Sequence, residues 1–340
     1  LRLGGFAMSE PTLVHGGALA RMRALFPDAP EPWIDLSTGI NPWPYPVTAA
    51  TLSHFSRLPD ADLFAASRAA MAQTFGAAET AVLPAPGSEA LIRLLPRLIP
   101  ACSVALREPT YGDHSQAWRA AGARIEALDD PLSRAGAVDV LVIVNPNNPD
   151  GRTVAPAALI EAHAAQAARG GWLIVDEAFA DLDPSLSVAA QAGPGGLVIL
   201  RSFGKFYGLA GLRLGAMLGP PDLLAAAADA LGAWAVNGPA LAIGRQAYGD
   251  AAWSARTRAR LAKARGELDL LLSAAQLPVS GGTDLFRFVA TADATGLWRR
   301  LGQAGIAVRR FSWSDARVRI GLPASNAELA RLASALQDHR

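Results

Sequence analysis

Three side chains with different chemistries each follow an apolar run in this chain: Asn148, Asp176 and Lys205, spaced 28 and 29 residues apart. Lys205 lies in Arg201-Ser202-Phe203-Gly204-Lys205 and is one of only two lysines, Lys263 being the other, in a chain with 31 Lys plus Arg. Arginine keeps its proton at working pH, whereas a partly desolvated lysine can lose it and act as an amine nucleophile. Lys263 sits among Arg256, Arg258, Arg260 and Arg265 and reads as part of a solvated helix face. A fourth element is Ala85-Pro86-Gly87-Ser88-Glu89. A strand, a glycine turn and a helix start there would gather backbone N–H groups around an anion.

The elements that must position these groups alternate between strand and helix. Strands are expected at 81–84, 103–107, 138–144, 172–175 and 197–200, and helices at 61–75, after Glu89 through Ile99, at 113–121 and at 156–168. Val138 to Val144 is nearly all β-branched, as in a strand buried on both faces. A second apolar run at 212–218 follows the glycine-broken turn after Lys205. The fold class is therefore α/β: a large domain with a mainly parallel sheet covered by helices, plus a smaller α+β domain. Ligands of such sheets bind beyond the carboxyl ends of the strands, so topology brings Asn148, Asp176 and Lys205 to one edge.

After Pro220 the character changes. Helices are expected at 222–235, 251–272 and 326–337, and strands at 285–290, 306–309 and 318–320, with a further helix between the first two strands. Ahead of the large domain, a short helix at 18–25 and a strand near Trp33 lead into a proline-stiffened loop ending at Pro44. The expected division is 46–220 for the large domain, and 8–45 plus 221–340 for the small domain closing over the substrate.

The 340 residues are 51% hydrophobic with a net charge of +1, which argues against a nucleic-acid or polyanion surface. The single Cys102 excludes an internal disulfide and fits a reducing compartment. No apolar run reads as a membrane span, no signal peptide is apparent before Met8, and no metal site is expected. Met8 could be the start, with residues 1–7 left from upstream.

A lysine, an aspartate and an asparagine at one sheet edge beside an anion-binding turn suit pyridoxal 5′-phosphate. That cofactor needs an amine for its aldehyde, a carboxylate to keep its ring nitrogen protonated, a donor to its phenolic oxygen and a cradle for its phosphate. The chain also resembles, over nearly its whole length, the fold-type I pyridoxal phosphate enzymes of the aspartate aminotransferase type. Asn145-Pro146-Asn147-Asn148-Pro149-Asp150-Gly151 is similar to that family's NPNNPTG, and Asp176-Glu177-Ala178-Phe179 to its DEAY/DEAF. SFGK followed by LAGLRLG is similar to its S-x-x-K and AGLR-G segments.

By that resemblance Lys205 would bond the cofactor's aldehyde carbon, Asp176 would pair with the ring nitrogen and Asn148 would donate to the phenolic oxygen. Ser202 and Arg213 would bind the phosphate with the backbone of Gly87, Ser88 and Glu89, and Tyr111 would lie over the ring. Arg319 matches the arginine that binds the substrate carboxylate. Two positions depart from the pattern. Phe179 stands where many relatives have a tyrosine on the phenolic oxygen, and Leu58 where many have one reaching the neighbouring subunit's cofactor phosphate.

Within the family, VHGG and STGINPWP resemble the group that decarboxylates L-threonine O-3-phosphate to (R)-1-amino-2-propanol O-2-phosphate in cobalamin biosynthesis. Histidinol-phosphate aminotransferases are the alternative, and a non-catalytic partner protein of the same fold is an alternative of another class. The substrate would be a small phosphorylated amino acid bound by His15, Ser37, Thr38, Gly39, Asn41, Arg309 and Arg319. The resemblance further implies a cytoplasmic homodimer, with no nucleic-acid or membrane partner.

Overall fold

The computed structural model describes residues 15–337; Met8 and residues 1–7 lie outside them. Along the chain the regular elements are α1 (Leu19–Leu25), β1 (Ile34–Leu36), α2 (Ala61–Phe75), β2 (Val82–Ala85), α3 (Ser88–Leu98), β3 (Ser103–Arg107), α4 (Gly112–Ala120) and β4 (Arg124–Leu128). Next come β5 (Val140–Val144), α5 (Pro156–Ala167), β6 (Trp172–Asp176), β7 (Leu197–Ser202), α6 (Phe203–Phe206), β8 (Gly215–Leu218), α7 (Pro221–Leu231), α8 (Gly238–Gly249) and α9 (Ala251–Ala274). The last are β9 (Val279–Thr283), β10 (Phe286–Ala290), α10 (Ala294–Gln303), β11 (Ile306–Phe311), β12 (Ser314–Gly321) and α11 (Asn326–Gln337).

Two compact units emerge from packing. The larger holds Ile40–Lys263 and Gly281–Leu285; the smaller holds the described part of Leu1–Gly39, Ala264–Ser280 and the described part of Phe286–Arg340. The division differs from the expected 45/46 and 220/221. It falls at 39/40 and again inside α9, because α7 packs on α3 and β2 and α8 packs on α2. The change of composition after Pro220 thus does not mark the change of core.

The larger unit is built on a seven-stranded sheet in the order β2-β8-β7-β6-β5-β3-β4. Only β8 runs antiparallel to its neighbours, so the sheet is mainly parallel. All residues of β5 and β7 are buried, which their continuous Val, Ile and Leu runs require. On one face Leu91, Ile92 and Leu95 of α3 and Trp118 of α4 pack against Val104, Val142, Ile174 and Leu200. Each such fully buried side chain contributes about 1.5–3 kcal/mol. Helix α2 begins where Asp60 accepts the Leu63 N–H at 2.7 Å and ends at Gly76, whose φ of 67° closes the cap.

The smaller unit carries a five-stranded sheet in the order β1-β11-β12-β10-β9. β1 joins β11 in parallel, and β11, β12 and β10 are antiparallel. Helix α10, capped by Asp293 on Gly296 N at 2.7 Å, packs on β11 and β12. No helix among the described residues is long and apolar enough to cross a membrane.

Candidate functional site

In the larger unit the strand ends set the order of the chemistry. Ala85, Gly215 and Ser202 are register partners across β2, β8 and β7, and Leu200, Asp176 and Val144 are partners across β7, β6 and β5. Along the carboxyl edge stand Gly87 and Ser88 after β2, Arg213 before β8, Ser202 and Lys205 at the end of β7, Asp176 ending β6, Asn145 to Asn148 after β5, and Tyr111 after β3. Neighbouring strands are about 4.8 Å apart, so six strand ends converge on one row.

Asp176 is 2% exposed. Its Oδ2 lies 2.9 Å from Nε2 of His114, which is 1% exposed, and its Oδ1 accepts the Ala178 N–H at 3.1 Å. A buried carboxylate needs such partners, and these fix its orientation. Two of the three asparagines in the preceding turn hold backbone. Asn145 donates to Val154 O at 3.0 Å and accepts from Val154 N at 2.9 Å. Asn147 donates to Pro109 O at 3.1 Å and Asp150 Oδ1 at 2.7 Å, and accepts from Thr110 Oγ1 at 2.5 Å. Asn148 is half-buried beside them.

Gly87 is the N-cap of α3, with φ 86° and ψ 155°, and no side chain caps the helix. Only glycine adopts that backbone region readily. A Cβ on Gly87 would stand 2.9 Å from Nη2 of Arg213, so the guanidinium lies over a cradle that a side chain would fill. Gly215 closes it from below, where a Cβ would come within 2.9 Å of Ser88 N. The open N–H groups of the first turn and an arginine make an anion receptor. Glu89 stands beside it and accepts from Tyr111 Oη at 2.9 Å and from Arg93 Nε at 2.6 Å. Burial first, then Asp113 and Glu89, push the Tyr111 hydroxyl well above the usual phenol range, so it stays protonated and donates.

Lys205 is half-buried on the four-residue helix α6. Asn41 holds that turn: its backbone N–H donates to Lys205 O at 2.9 Å and its Nδ2 to Phe206 O at 2.8 Å, while its Oδ1 accepts from Trp43 N at 2.9 Å. This buried amide therefore positions the lysine turn, a structural use that the expected substrate contact did not anticipate. Beneath it Tyr207 stacks on Phe203 at 4.4 Å and on Trp253 at 5.6 Å. Deeper still, Arg201 bonds Glu177 Oε2 at 2.8 Å and pairs with Asp181. Burial opposes its charge, but the two carboxylates outweigh that and raise its affinity for the proton. Arg201 precedes Ser202 and Glu177 follows Asp176, so this ion pair ties two adjacent strand ends.

The smaller unit holds a second constellation. Ser37 is buried; Asp35 Oδ1 accepts from its N–H at 2.9 Å and its Oγ at 2.5 Å, and that Oγ accepts from Gly17 N at 2.8 Å. Gly16 packs against the Ser37 carbonyl so closely that no Cβ fits. Arg319 Nη2 donates to the same carbonyl at 2.9 Å, and Gly321 leaves room for the Thr38 carbonyl. HGG and STG are thus two sides of one clasp. Arg309 and Arg319 are direct partners across β11 and β12. Burial and then Arg309 push Arg319 down to about 10, and burial alone lowers Arg309. Both stay cationic near neutral pH, and two like charges in one buried ladder position favour an anion between them. His15 is exposed and lines a cavity of about 490 Å³ with Gly16, Ser37 and Arg309.

Lys205, Asp176, Asn148, Gly87, Ser88, Glu89, Ser202, Arg213 and Tyr111 accordingly lie at one sheet edge, while His15, Ser37, Thr38, Gly39, Arg309 and Arg319 belong to the other unit. Sequence reasoning missed His114, Arg201 and the Glu89–Tyr111 bond. Only a histidine one turn into the helix after PTYG could have hinted at the first. Among the described residues no group of His, Cys, Asp and Glu could hold a metal ion. The donor set fits pyridoxal 5′-phosphate: an amine, a buried carboxylate with a fixed partner, an amide and a glycine-cornered anion cradle answer its four functional groups.

Residues 31–336 match the family described as aminotransferase class I and II, and the chain belongs to it. It is 44% identical over 332 residues to a threonine-phosphate decarboxylase of Sinorhizobium sp., covering 97% of this chain and 98% of that one. It is 41% identical over 326 residues to the threonine-phosphate decarboxylase of Pseudomonas aeruginosa, covering 95% and 97%. The fold is shared with histidinol-phosphate aminotransferase from Sinorhizobium meliloti, solved with pyridoxal-5′-phosphate: TM-score 0.81 at 16% identity, covering 99% of this chain and 100% of that one.

Proposed function

We propose that the chain is a pyridoxal 5′-phosphate-dependent carboxy-lyase that converts L-threonine O-3-phosphate into (R)-1-amino-2-propanol O-2-phosphate and CO2, in service of cobalamin biosynthesis. The observation that carries this reading is the near full-length identity to two proteins named for that substrate and reaction. The cationic pair Arg309 and Arg319 beside the Ser37 clasp supports it, since the substrate brings both a carboxylate and a phosphate.

When bound, the cofactor supplies an aldehyde carbon for an amine and a protonated ring that takes up the electron pair released at Cα. Lys205 would hold it through its amine. Asp176, oriented by His114, would keep the proton on the ring nitrogen. Asn148 would donate to the phenolic oxygen; Arg213, Ser202 and the first turn of α3 would hold the phosphate. Arg319 takes the substrate carboxylate. Anchoring the substrate at carboxylate and phosphate decides which bond at Cα stands perpendicular to the ring, and so which breaks. One C–C bond breaks, CO2 leaves and Cα gains one proton, so no oxidant and no keto acid are consumed.

The protein acts in the cytoplasm as a homodimer. Leu52, Phe55 and Leu58 are 64–69% exposed on and just after the 3-10 turn over Ala49–Phe55, and Trp234 is 61% exposed. Pro59, next to Leu58, and Trp234 line one apolar cavity of about 460 Å³, a face that a second copy would cover. The deciding experiment supplies purified protein with O-phospho-L-threonine. CO2 release without 2-oxoglutarate is expected, and Lys205→Ala should lose both turnover and the absorbance of lysine-bound cofactor. Product that requires a keto acid and appears without CO2 would make the chain an aminotransferase.

A further inference from the structure

Strand β1 is three residues long and its pairing with β11 ends at Leu36 and Val308. β11 runs on to Phe311, so Arg309, Arg310 and Phe311 lie beyond the end of that neighbour. The cavity of about 490 Å³ follows this step in the sheet edge, walled by α1, α10 and the residues 307–312. Its size is that of a small-molecule site.

Successive strand residues point to opposite faces. Arg309 therefore approaches from the face it shares with Arg319, and Arg310 from the face covered by α10. An open strand edge is reached from both sides, which explains how both line one cavity. Arg310 is held ready: its Nη1 donates to Thr295 Oγ1 at 2.8 Å and its guanidinium lies 5.3 Å from the Trp298 ring centroid. Arg21 from α1 and Arg299 from α10 complete the wall. Neither has a carboxylate within ion-pair reach among the described residues. Beside these four arginines and His15, the lining offers one acid among the described residues, Asp315, which already accepts from Thr295 Oγ1 at 3.4 Å. Gathering cations around a cavity is unfavourable unless an anion of high charge density shares it.

We propose that this step in the sheet edge is the phosphate pocket of the substrate site, and that Arg310, with Arg21 and Arg299, makes the enzyme select a doubly charged phosphate monoester. The proposal rests on the reading of the substrate as a phosphorylated amino acid. It adds three residues on the α1 and α10 side of the pocket to those read from HGG, STG and Arg309. Arg310 is the principal anchor because Thr295 and Trp298 already hold its guanidinium, so little freedom is lost on binding. Arg21 and Arg299 act mainly through charge.

The test uses holoenzyme and two probes, O-phospho-L-threonine in turnover and inorganic phosphate in calorimetry. Removing one charge-assisted contact should weaken binding by about tenfold to a hundredfold. Arg310→Gln should thus raise KM for O-phospho-L-threonine and the Kd for inorganic phosphate together, with cofactor absorbance held. Arg310→Lys should recover part of the loss. Arg21→Gln, at a half-buried position, and Arg299→Gln, at an exposed one, should move both constants the same way by less. Unchanged KM and phosphate Kd in Arg310→Gln and Arg21→Gln would overturn the assignment. The calorimetric arm does not depend on which bond at Cα breaks. A keto-acid-dependent reaction would refute the decarboxylase and leave the phosphate pocket standing.

Discussion

Replacing Gly87 by alanine tests the cofactor cradle, and a second glycine supplies the control. Gly87 has φ 86° and ψ 155° at the start of α3, where an L-residue costs about 1–3 kcal/mol of stability. Its new Cβ would also stand 2.9 Å from Arg213 Nη2 and push the guanidinium off the cradle. An arginine–phosphate contact contributes about 1.5–3 kcal/mol, so the affinity for pyridoxal 5′-phosphate should fall by about tenfold to a hundredfold. Gly122 has φ 91° and open space around its Cβ position. Gly122→Ala should therefore lose stability of the same order, about 1–3 kcal/mol, with unchanged cofactor affinity. Urea unfolding of the apoprotein reads the first quantity, and titration of the apoprotein with cofactor, followed by absorbance, reads the second. If both variants bind the cofactor as tightly as the unaltered chain, Arg213 does not hold its phosphate over Gly87.

Two other outcomes can be measured directly. Arg201→Met should cost about 3–5 kcal/mol in urea unfolding, because Glu177 and Asp181 are left buried without their cation; a loss under about 1 kcal/mol would mean the pair is solvated. On the proposed homodimer, Phe55→Asp should shift sedimentation from dimer to monomer, since it sets a charge on an exposed apolar surface; an unaltered chain that sediments as a monomer would refute the dimer, and a variant that stays dimeric would place the interface elsewhere.

The strands that carry the cofactor-side chemistry were legible because a strand buried on both faces has to be written in Val, Ile and Leu. β5, β6 and β7 are of that kind, and the residues that follow them stand out by contrast. α2 and α11 were legible to the residue, through helical spacing closed by Asp60 and Gly76 in one case and opened at Asn326 in the other. β4 was not, since an edge strand with no buried residue, Arg124 to Leu128, lacks the apolar run. α8 was hidden because most of its residues are buried, which leaves no amphipathic stripe to detect. His114 could not be assigned to Asp176 from spacing, since 62 positions separate them and the pairing follows from sheet order. The structural role of Asn41 was not visible for a related reason: a buried amide bonding backbone 165 residues away looks, in sequence, like an ordinary loop donor.

The division of labour between the two units has a practical meaning for reprogramming the catalyst. Every group argued to face the cofactor lies in the larger unit, and the cationic residues argued to face the substrate lie in the smaller. On the proposed roles, light absorption reports on the first and substrate preference on the second. Libraries confined to residues 15–39 and 306–321 can be screened for new substrates while colour alone certifies that the amine and its partners are intact.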